Sequence, residues 1–435
     1  MVHTDLQIDS RFRIHSTPVG QQLIQHLTED WAGSKTQVAH VILLGKSGVG
    51  KTTAIFDAAK DVYCLFFTAS QYRADMRFSD PGQYDKSFAY MVNALTGCVE
   101  DAARCDHIIK AMILARFLVM RKFRGLPGAT PEKWMQYQLT AAMHKVAIAT
   151  FSLLVKHERK TKVEELLVKV EEELESLNCP WFFAYDECQY GYQILEGKCN
   201  EWKSTETGKK RGVSCPFLRV VGNIGRVVIA GNALSIDTAD SCIGDTGRSV
   251  LFTDFPPVDF HQIHSELTAT LHLTDVELDK VPLWMLEGRG RLLGGFFSRL
   301  AQEVKNYPKA QKQILLDQAI ERHYQRMLVD TIAKIKEGFG LEEGEGEYRR
   351  DRLSKRATLP ESLQSLALAV LWGGHKCIGT DSIKIDLLNI GVCSVRVVEL
   401  TGNSSEKVYT LDEELGKRAI LEVAREYYDF TSQSF

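Results

Sequence analysis

A glycine-rich stretch near the start of the chain carries a lysine and a threonine at a spacing that could hold a phosphate group. Residues 45–52 read GKSGVGKT and fit the pattern G-x-x-x-x-G-K-[ST] of a phosphate-binding loop. Glycines let backbone N–H groups surround an anion without Cβ clashes, and the following helix directs the positive end of its dipole to the same place. In such a loop Lys51 reaches the β- and γ-phosphates of a nucleotide, and the Thr52 hydroxyl binds Mg²⁺.

The whole loop is predicted to contact a nucleoside triphosphate. The predicted binding residues are Gly45, Lys46, Ser47, Gly48, Val49, Gly50, Lys51, Thr52 and Thr53. The alternative is a glycine turn that only joins a strand to a helix. It is disfavoured because the pattern arises by chance in only about 1–2% of chains of this length, given glycine at roughly 7% of residues.

A second candidate group is the acidic pair that ends the apolar run WFFAYDE at residues 181–187. Asp186, at the carboxyl end of a strand, would hold Mg²⁺ through its water ligands. Glu187 is suited to orient and deprotonate an attacking water. Acids often end surface strands, so the run alone is a weak signal. Together with the phosphate-binding loop it predicts ATP hydrolysis with Mg²⁺, and a water-activating glutamate argues against a small-molecule kinase.

A set of strands and helices must bring these two motifs together. Val38–Leu44 is predicted to be a buried strand, Thr53–Lys60 to open a helix and Asp61–Ala69 to form a second strand. Lys51 and Asp186 are 135 positions apart, which is too far for one strand–helix–strand step.

The intervening residues, about 84–178, therefore read as a helical insertion. Its predicted helices are Lys86–Cys98, Asp106–Phe123, Pro131–His157 and Lys162–Leu177. The last has an apolar stripe at heptad-like spacing, which fits packing on its own domain better than a coiled-coil seam because it spans only two heptads.

Three polar residues further along the chain are candidates to complete the site. The β-branched run 226–231 is predicted to be a third strand, and Asn232 follows it. In P-loop ATPases with an additional central strand, such a residue helps to place the water; a simple cap on the next segment is the alternative. Arg248 precedes a predicted strand at 249–255. Arg291 lies in a GRGR segment at a predicted helix start, where an arginine is unfavourable unless an anion is nearby.

These motifs in this order resemble the AAA+/STAND ATPases, and within them the ATPase module of Crinkler-type effectors and the related retrotransposon hot spot proteins. The resemblance rests on GKSGVGKT, the helical insertion, WFFAYDECQ, VVIAGN, Arg248 and the GRGR that leads into FFSRL. It covers roughly Val38–Leu300, with a weaker match towards the C-terminus. It implies ATP and Mg²⁺ as ligands, Asn232 as sensor 1 and Arg291 as the sensor 2 arginine.

The resemblance also implies that Arg248 is an arginine finger acting on a neighbouring subunit's nucleotide, and hence a homo-oligomer with nucleotides at its interfaces. A surface arginine is the alternative for Arg248. The resemblance further implies secretion and action in the host-cell nucleus or cytoplasm. The chain shows neither a recognisable translocation header nor a D…E-x-K nuclease motif, which puts a toxin activity in doubt.

The predicted fold is α/β, a P-loop NTPase (AAA+/STAND-like) three-layer sandwich with a long helical insertion, then a helical lid and a C-terminal winged-helix-like domain. The predicted segments are 1–36 (N-terminal linker or helix), 37–258 (ATPase core), 259–337 (lid), 338–357 (charged linker) and 358–435 (winged-helix-like domain). The last follows from helices at 360–372, 382–389 and 411–428 around strands at 392–400 and 407–409. This domain holds seven Lys/Arg against eleven Asp/Glu, so charge does not support nucleic-acid binding, and a protein partner fits better.

The bulk properties set the remaining limits. The 435 residues carry a net charge of -3 and contain no apolar run long enough to span a membrane. The N-terminal MVHTDLQIDSRFRIH has no apolar core and so predicts no secretory signal. Ten cysteines without a C-x-x-C pair favour reduced thiols over a zinc site or a disulfide framework. The expectation is a soluble protein of a reducing compartment.

Two hypotheses for function remain. The first is an ATP-hydrolysing AAA+/STAND-like module of an effector-type protein, favoured by Glu187, Arg248 and Arg291. The second is a switch or scaffold that binds nucleotide without turnover and regulates a partner or an attached domain. It is favoured by the lack of an identifiable effector domain.

Overall fold

The structure is a computed structural model that describes residues 18–29, 40–45, 50–70, 85–157, 160–176, 180–195, 212–231, 249–253, 309–338, 361–371, 393–400, 404–411 and 414–427. It also describes isolated positions at 255, 261, 263–265, 268, 282, 285 and 341. The chain divides into two compact units, which are described separately. The first holds residues 12–44 and 51–252, and the second holds residues 45–50 and 253–435.

The first unit is built on a five-stranded parallel sheet. Its strands are β1 (His40–Leu44), β2 (Tyr63–Thr68), β3 (Trp181–Asp186), β4 (Val227–Gly231) and β5 (Ser249–Phe252). The strand order is β2-β3-β4-β1-β5. Strand β4 pairs with β1 on one side and β3 on the other, since Ile229 lies opposite both Ile42 and Tyr185. The third strand predicted at 226–231 is therefore present, and it lies between the strand of the glycine loop and the strand of the acidic pair.

Helices cover both faces of this sheet. They are α1 (Pro18–Glu29), α2 (Lys51–Asp61), α3 (Lys86–Thr96), α4 (Ala102–Arg124), α5 (Pro131–Gln138), α6 (Ala141–His157), α7 (Lys160–Ser176), α8 (Cys188–Gln193) and α9 (Ser214–Ile224). On one face Phe117 of α4 packs edge-to-face against Phe183, and Phe217 of α9 packs on Tyr185. On the other face Phe56 of α2 packs against Phe66 of β2. The predicted three-layer sandwich is therefore confirmed.

The insertion is helical as predicted, with one correction. The helix predicted over Pro131–His157 is two helices, α5 and α6, bent by 80°. The break lies at Thr140, whose hydroxyl donates to the Tyr137 carbonyl at 2.7 Å and accepts from the Met143 N–H at 3.2 Å. A threonine that caps one helix and closes the last turn of another ends the helix without a proline or glycine.

Helix α7 packs on α4, as its apolar stripe predicts. Val163, Leu167 and Val170 are buried, and Lys110 of α4 forms an ion pair with Glu164 at 2.8 Å. No single helix in the described part of the chain is long and apolar enough to cross a membrane. The α5–α6 pair reaches the required length and composition only when both helices are taken together across their bend.

Helix α1, one of the two alternatives predicted for residues 1–36, belongs to the core of the first unit. It packs against α2 and buries Val19, Leu23 and Leu27. Its C-terminal carbonyls at His26 and Leu27 accept hydrogen bonds from Arg226, at 3.1 and 2.6 Å. A guanidinium at the end of a helix satisfies carbonyls that have no intrahelical donor and opposes the negative end of the dipole.

The outer edge of the sheet, at β2, is closed by side chains of the insertion. Gln138 accepts from the Phe66 N–H at 3.0 Å and donates to the Cys64 carbonyl at 2.7 Å. One side-chain amide thus makes both bonds that a neighbouring strand would make. Trp134 Nε1 also donates to the Cys64 carbonyl, at 2.6 Å, and the Arg116 guanidinium donates to the Phe66 carbonyl.

Arg116 is fully buried and pairs with Asp85. Its Nη2 also donates to Ser87 Oγ at 2.6 Å, and Asp85 accepts from Phe88 N at the start of α3. His144 Nδ1 lies 3.6 Å from Asp85, too far for a hydrogen bond. Burial lowers the pKa of His144 to about 4, with Arg116 and Lys86 adding to the decrease and Asp85 opposing it. His144 is thus neutral at pH 7, and the contact is not an ion pair.

The second unit contains α10 (Lys309–Gly338), α11 (Glu361–Leu371), β6 (Ser394–Leu400), β7 (Ser404–Thr410) and α12 (Glu414–Tyr427). Strands β6 and β7 form an antiparallel hairpin, and both α10 and α11 pack against α12. This helix–hairpin–helix order is the one predicted for a winged-helix-like domain. The helix predicted at 382–389 lies outside the described residues, and the segment boundaries given above stay predictions.

Candidate nucleotide-binding site

The predicted chemistry-bearing residues of the first unit lie at the carboxyl edge of its sheet. Strand β1 ends at Leu44 and α2 begins at Lys51, while β3 ends at Asp186. Because the strands are parallel, their carboxyl ends meet at one edge, where α/β proteins bind ligands. Gly50 has a φ of +103°, a backbone conformation that residues with a Cβ rarely adopt.

The two predicted Mg²⁺ residues are in direct contact. Thr52 Oγ1 donates to Asp186 Oδ2 at 2.8 Å, although 134 positions separate them. The other carboxylate oxygen, Oδ1, accepts from the Glu187 N–H at 3.0 Å, so the carboxylate has a fixed orientation. A hydroxyl and a carboxylate are hard oxygen ligands that fit Mg²⁺. The described residues contain no cluster of three or more His, Cys, Asp or Glu side chains that could hold a metal ion.

Lys51 and Glu187 are buried at the same edge, 6% and 7% exposed. Burial raises the pKa of the Cys188 thiol, the Asp186 and Glu187 carboxylates raise it further, and Lys51 lowers it. Three charged side chains therefore surround one buried thiol. Burying them costs free energy that the fold recovers only if the charges are paired or bind a ligand.

Glu187 adopts an unusual backbone conformation, with φ 55° and ψ 36°. A non-glycine residue in this left-handed region stores roughly 1–3 kcal/mol, and such residues concentrate at functional sites. Its carboxylate accepts a hydrogen bond from Gln189 Nε2 at 2.5 Å. The acidic turn therefore has a defined geometry at both backbone and side chain.

A buried chain of hydrogen bonds holds the turn after Glu187. The Ser214 hydroxyl donates to the Cys188 carbonyl at 3.1 Å and lies 3.0 Å from the Tyr185 hydroxyl, which therefore donates to it. A Cβ at Gly191 would lie 1.9 Å from the Tyr185 oxygen, so only glycine fits there. These contacts join the end of β3 to the start of α9.

The structure brings together Lys51, Thr52, Asp186 and Glu187 of the predicted set. Gly45, Gly50 and Thr53 are also among the described residues. The predicted residues outside the described part of the chain are Lys46, Ser47, Gly48, Val49, Asn232, Arg248 and Arg291. The roles of all these residues stay predictions.

Sequence reasoning missed Gln189, Ser214 and Gly191. The signal for Gln189 was a polar residue two positions after the acidic pair, within the stretch WFFAYDECQ. Ser214 and Gly191 gave no local signal because their roles depend on a contact with Tyr185 that the fold creates.

Comparison with solved structures finds archaeal proteins at low similarity. A Walker-type ATPase of Pyrococcus abyssi is 12% identical over 94% of this chain and 99% of that chain, with a TM-score of 0.44. The ORC1 protein of Aeropyrum pernix, solved in complex with DNA, is 12% identical over 94% and 93%, with a TM-score of 0.33. The Cdc6p protein of Pyrobaculum aerophilum is 13% identical over 97% and 99%, with a TM-score of 0.31.

No protein-family model matches the chain, and no curated protein matches it significantly. Similarity at these TM-scores carries no inference about activity. The assignment of the site therefore rests on the sheet order, the glycine loop and the contacts at the carboxyl edge of the sheet.

Proposed function

We propose that the chain binds ATP with Mg²⁺ and hydrolyses it, as a P-loop ATPase of the AAA+/STAND-like type. The observation that carries this proposal is the hydrogen bond between Thr52 and Asp186. It joins the last residue of the glycine-loop pattern to the acid of a separate strand, which is the pairing that Mg²⁺-dependent nucleotide hydrolysis requires.

Each residue of the proposed site has a distinct task. Lys51, at the first position of α2, contacts the phosphates and balances their charge. Thr52 and Asp186 hold the cation, which neutralises charge on the phosphates when it is bound. Glu187 orients a water and accepts its proton.

We further propose that the chain is the ATPase module of a Crinkler-type effector, which would act in a host-cell nucleus or cytoplasm after secretion. The support is the order of its motifs, from GKSGVGKT through the insertion and WFFAYDECQ to GRGR. In this proposal Asn232 helps to place the water, Arg291 contacts the nucleotide of its own chain, and Arg248 contacts that of a neighbouring subunit.

The acidic charge balance that argues against DNA concerns residues 358–435 alone. One structural neighbour was solved with DNA, so the comparisons give no support for excluding nucleic acid. A protein partner for the C-terminal domain remains our proposal.

Steady-state ATP hydrolysis measured together with molar mass, with and without ATP, tests the proposed function. We expect turnover that depends on Mg²⁺ and whose rate per subunit rises with protein concentration, because neighbouring subunits complete each other's sites. Bound nucleotide without turnover would contradict hydrolysis and favour the alternative of a nucleotide-dependent switch or scaffold. Turnover that is independent of concentration in a monomer would contradict the role given to Arg248.

A further inference from the structure

The carboxylate of Glu187 is held by a side chain two residues further along the chain. Gln189 Nε2 donates to Glu187 Oε2 at 2.5 Å. Glu187 is buried and Gln189 is half-buried, so water competes weakly for this bond. Hydrogen bonds to a charged group are shorter and about twice as strong as those between neutral groups.

This bond is not a by-product of helix capping. Glu187 occupies the N-cap position of α8, where a side-chain oxygen can accept from a backbone N–H of the first turn. Its side chain makes no capping bond, while its carbonyl accepts from Tyr190 N at 3.1 Å, as the carbonyl of an N-cap residue normally does. The carboxylate is thus directed to Gln189 in place of the usual role of an acid at a helix start.

The donor itself lies on a segment with a fixed position. The hydrogen-bond chain from Tyr185 through Ser214 to the Cys188 carbonyl holds the residue just before Gln189. Gly191 packs against Tyr185 too closely for any side chain. Gln189 therefore presents its amide from a backbone that has little freedom to move, which is how a supporting residue keeps a reactive group in one geometry.

A neutral donor suits this environment. Among the described residues, Lys51, Asp186 and the Cys188 thiol are charged or titratable groups near the turn. A lysine or arginine in place of Gln189 would form an ion pair with the Glu187 carboxylate. That cation would compete with the attacking water for the carboxylate. An amide restricts the orientation of the carboxylate without adding charge beside the proposed phosphate site.

We propose that Gln189 is a positioning residue that holds the Glu187 carboxylate in the orientation needed to activate water, a role that rests on the proposed hydrolytic function. Gln189 acts through Glu187 and does not touch the reacting atoms. Its loss changes the rate of the chemical step and leaves nucleotide binding intact.

The first test is a double-mutant cycle. Gln189→Met keeps the length of the side chain and removes the donor, and it is expected to lower kcat about 10-fold, with KM and the ATP dissociation constant unchanged. In a Glu187→Gln background, measured in single turnover, the same substitution is expected to have no further effect. Gln22→Met, on the exposed side of α1, is the matched control. An equal loss of rate in both backgrounds would show a merely structural role and overturn the proposal.

The second test does not depend on turnover, so it separates failure of this inference from failure of the proposed function. Protein labelled with ¹⁵N-glutamine gives a side-chain amide signal for Gln189, identified by its absence from Gln189→Met. We expect slow exchange of this amide with solvent, and an increase of about 10-fold or more in its exchange rate in Glu187→Ala. If exchange is fast in the parent or unchanged in Glu187→Ala, the positioning contact does not exist. If the parent showed this slow exchange but no turnover, only the proposed hydrolysis would be contradicted, and the contact between Gln189 and Glu187 would stand.

Discussion

Two buried cations of the first unit, Arg116 and Lys51, lie at different edges of its sheet. Arg116 is fully buried and donates to protein groups, among them the Asp85 carboxylate and the Phe66 carbonyl. Lys51 is 6% exposed and begins α2 beside the acidic turn that ends β3. Burial of a charge therefore does not identify a functional residue. The cation at the closed edge of the sheet serves stability, and the cation at the carboxyl edge is proposed to serve a ligand.

The largest expected effect of a substitution is on stability, at the closed edge of the sheet. Arg116→Met leaves Asp85 buried without its cation and removes a donor from the Phe66 carbonyl. We expect the free energy of unfolding to fall by about 3–5 kcal/mol, measured by urea denaturation. The matched control is Arg121→Met on the same helix, because its pair with Glu173 is largely exposed and is worth about 1 kcal/mol or less. Equal losses for the two variants would show that the buried pair is not the stabilising feature.

At the carboxyl edge the expected effect is on rate rather than stability. Glu187→Gln keeps the size of the side chain and removes the proposed base, so hydrolysis should fall by about 10²-fold or more while nucleotide still binds. Glu165→Gln, on the exposed surface of α7, is the control. Unchanged turnover in Glu187→Gln would place the base elsewhere.

The smallest expected effect is also on stability at the closed edge of the sheet. Gln138→Leu removes the two bonds that mimic a neighbouring strand, but the Cys64 carbonyl keeps its bond from Trp134. We expect a loss of about 1–3 kcal/mol in the free energy of unfolding, with nucleotide binding unchanged. Gln136→Leu on the same helix controls for the substitution. A loss no larger than that of the control would show that helix packing alone protects the edge.

Patterns local in sequence could be predicted, and contacts made by the fold could not. The apolar runs at β1 and β3 and the glycines between β1 and α2 predicted two strands of the sheet and a shared site for Thr52 and Asp186, but not the order of the strands. The break at Thr140 was missed because a threonine can lie within a helix, and only its capping bonds show that it ends one. The pairing of Arg116 with Asp85 was missed because Arg116 lies within α4 while Asp85 is the N-cap residue of α3, and only the fold brings them together.

Equilibrium binding of Mg²⁺–ATP to the parent and to Lys51→Ala, measured by titration calorimetry, tests whether the carboxyl edge of the sheet is a nucleotide site. We expect the parent to bind nucleotide and Lys51→Ala not to bind it. We also expect Lys51→Ala to remain folded, with a cooperative thermal transition in the absence of nucleotide, although removal of a buried cation near Asp186 and Glu187 shifts its midpoint. Binding of equal affinity by the two proteins would contradict the assignment of the nucleotide site.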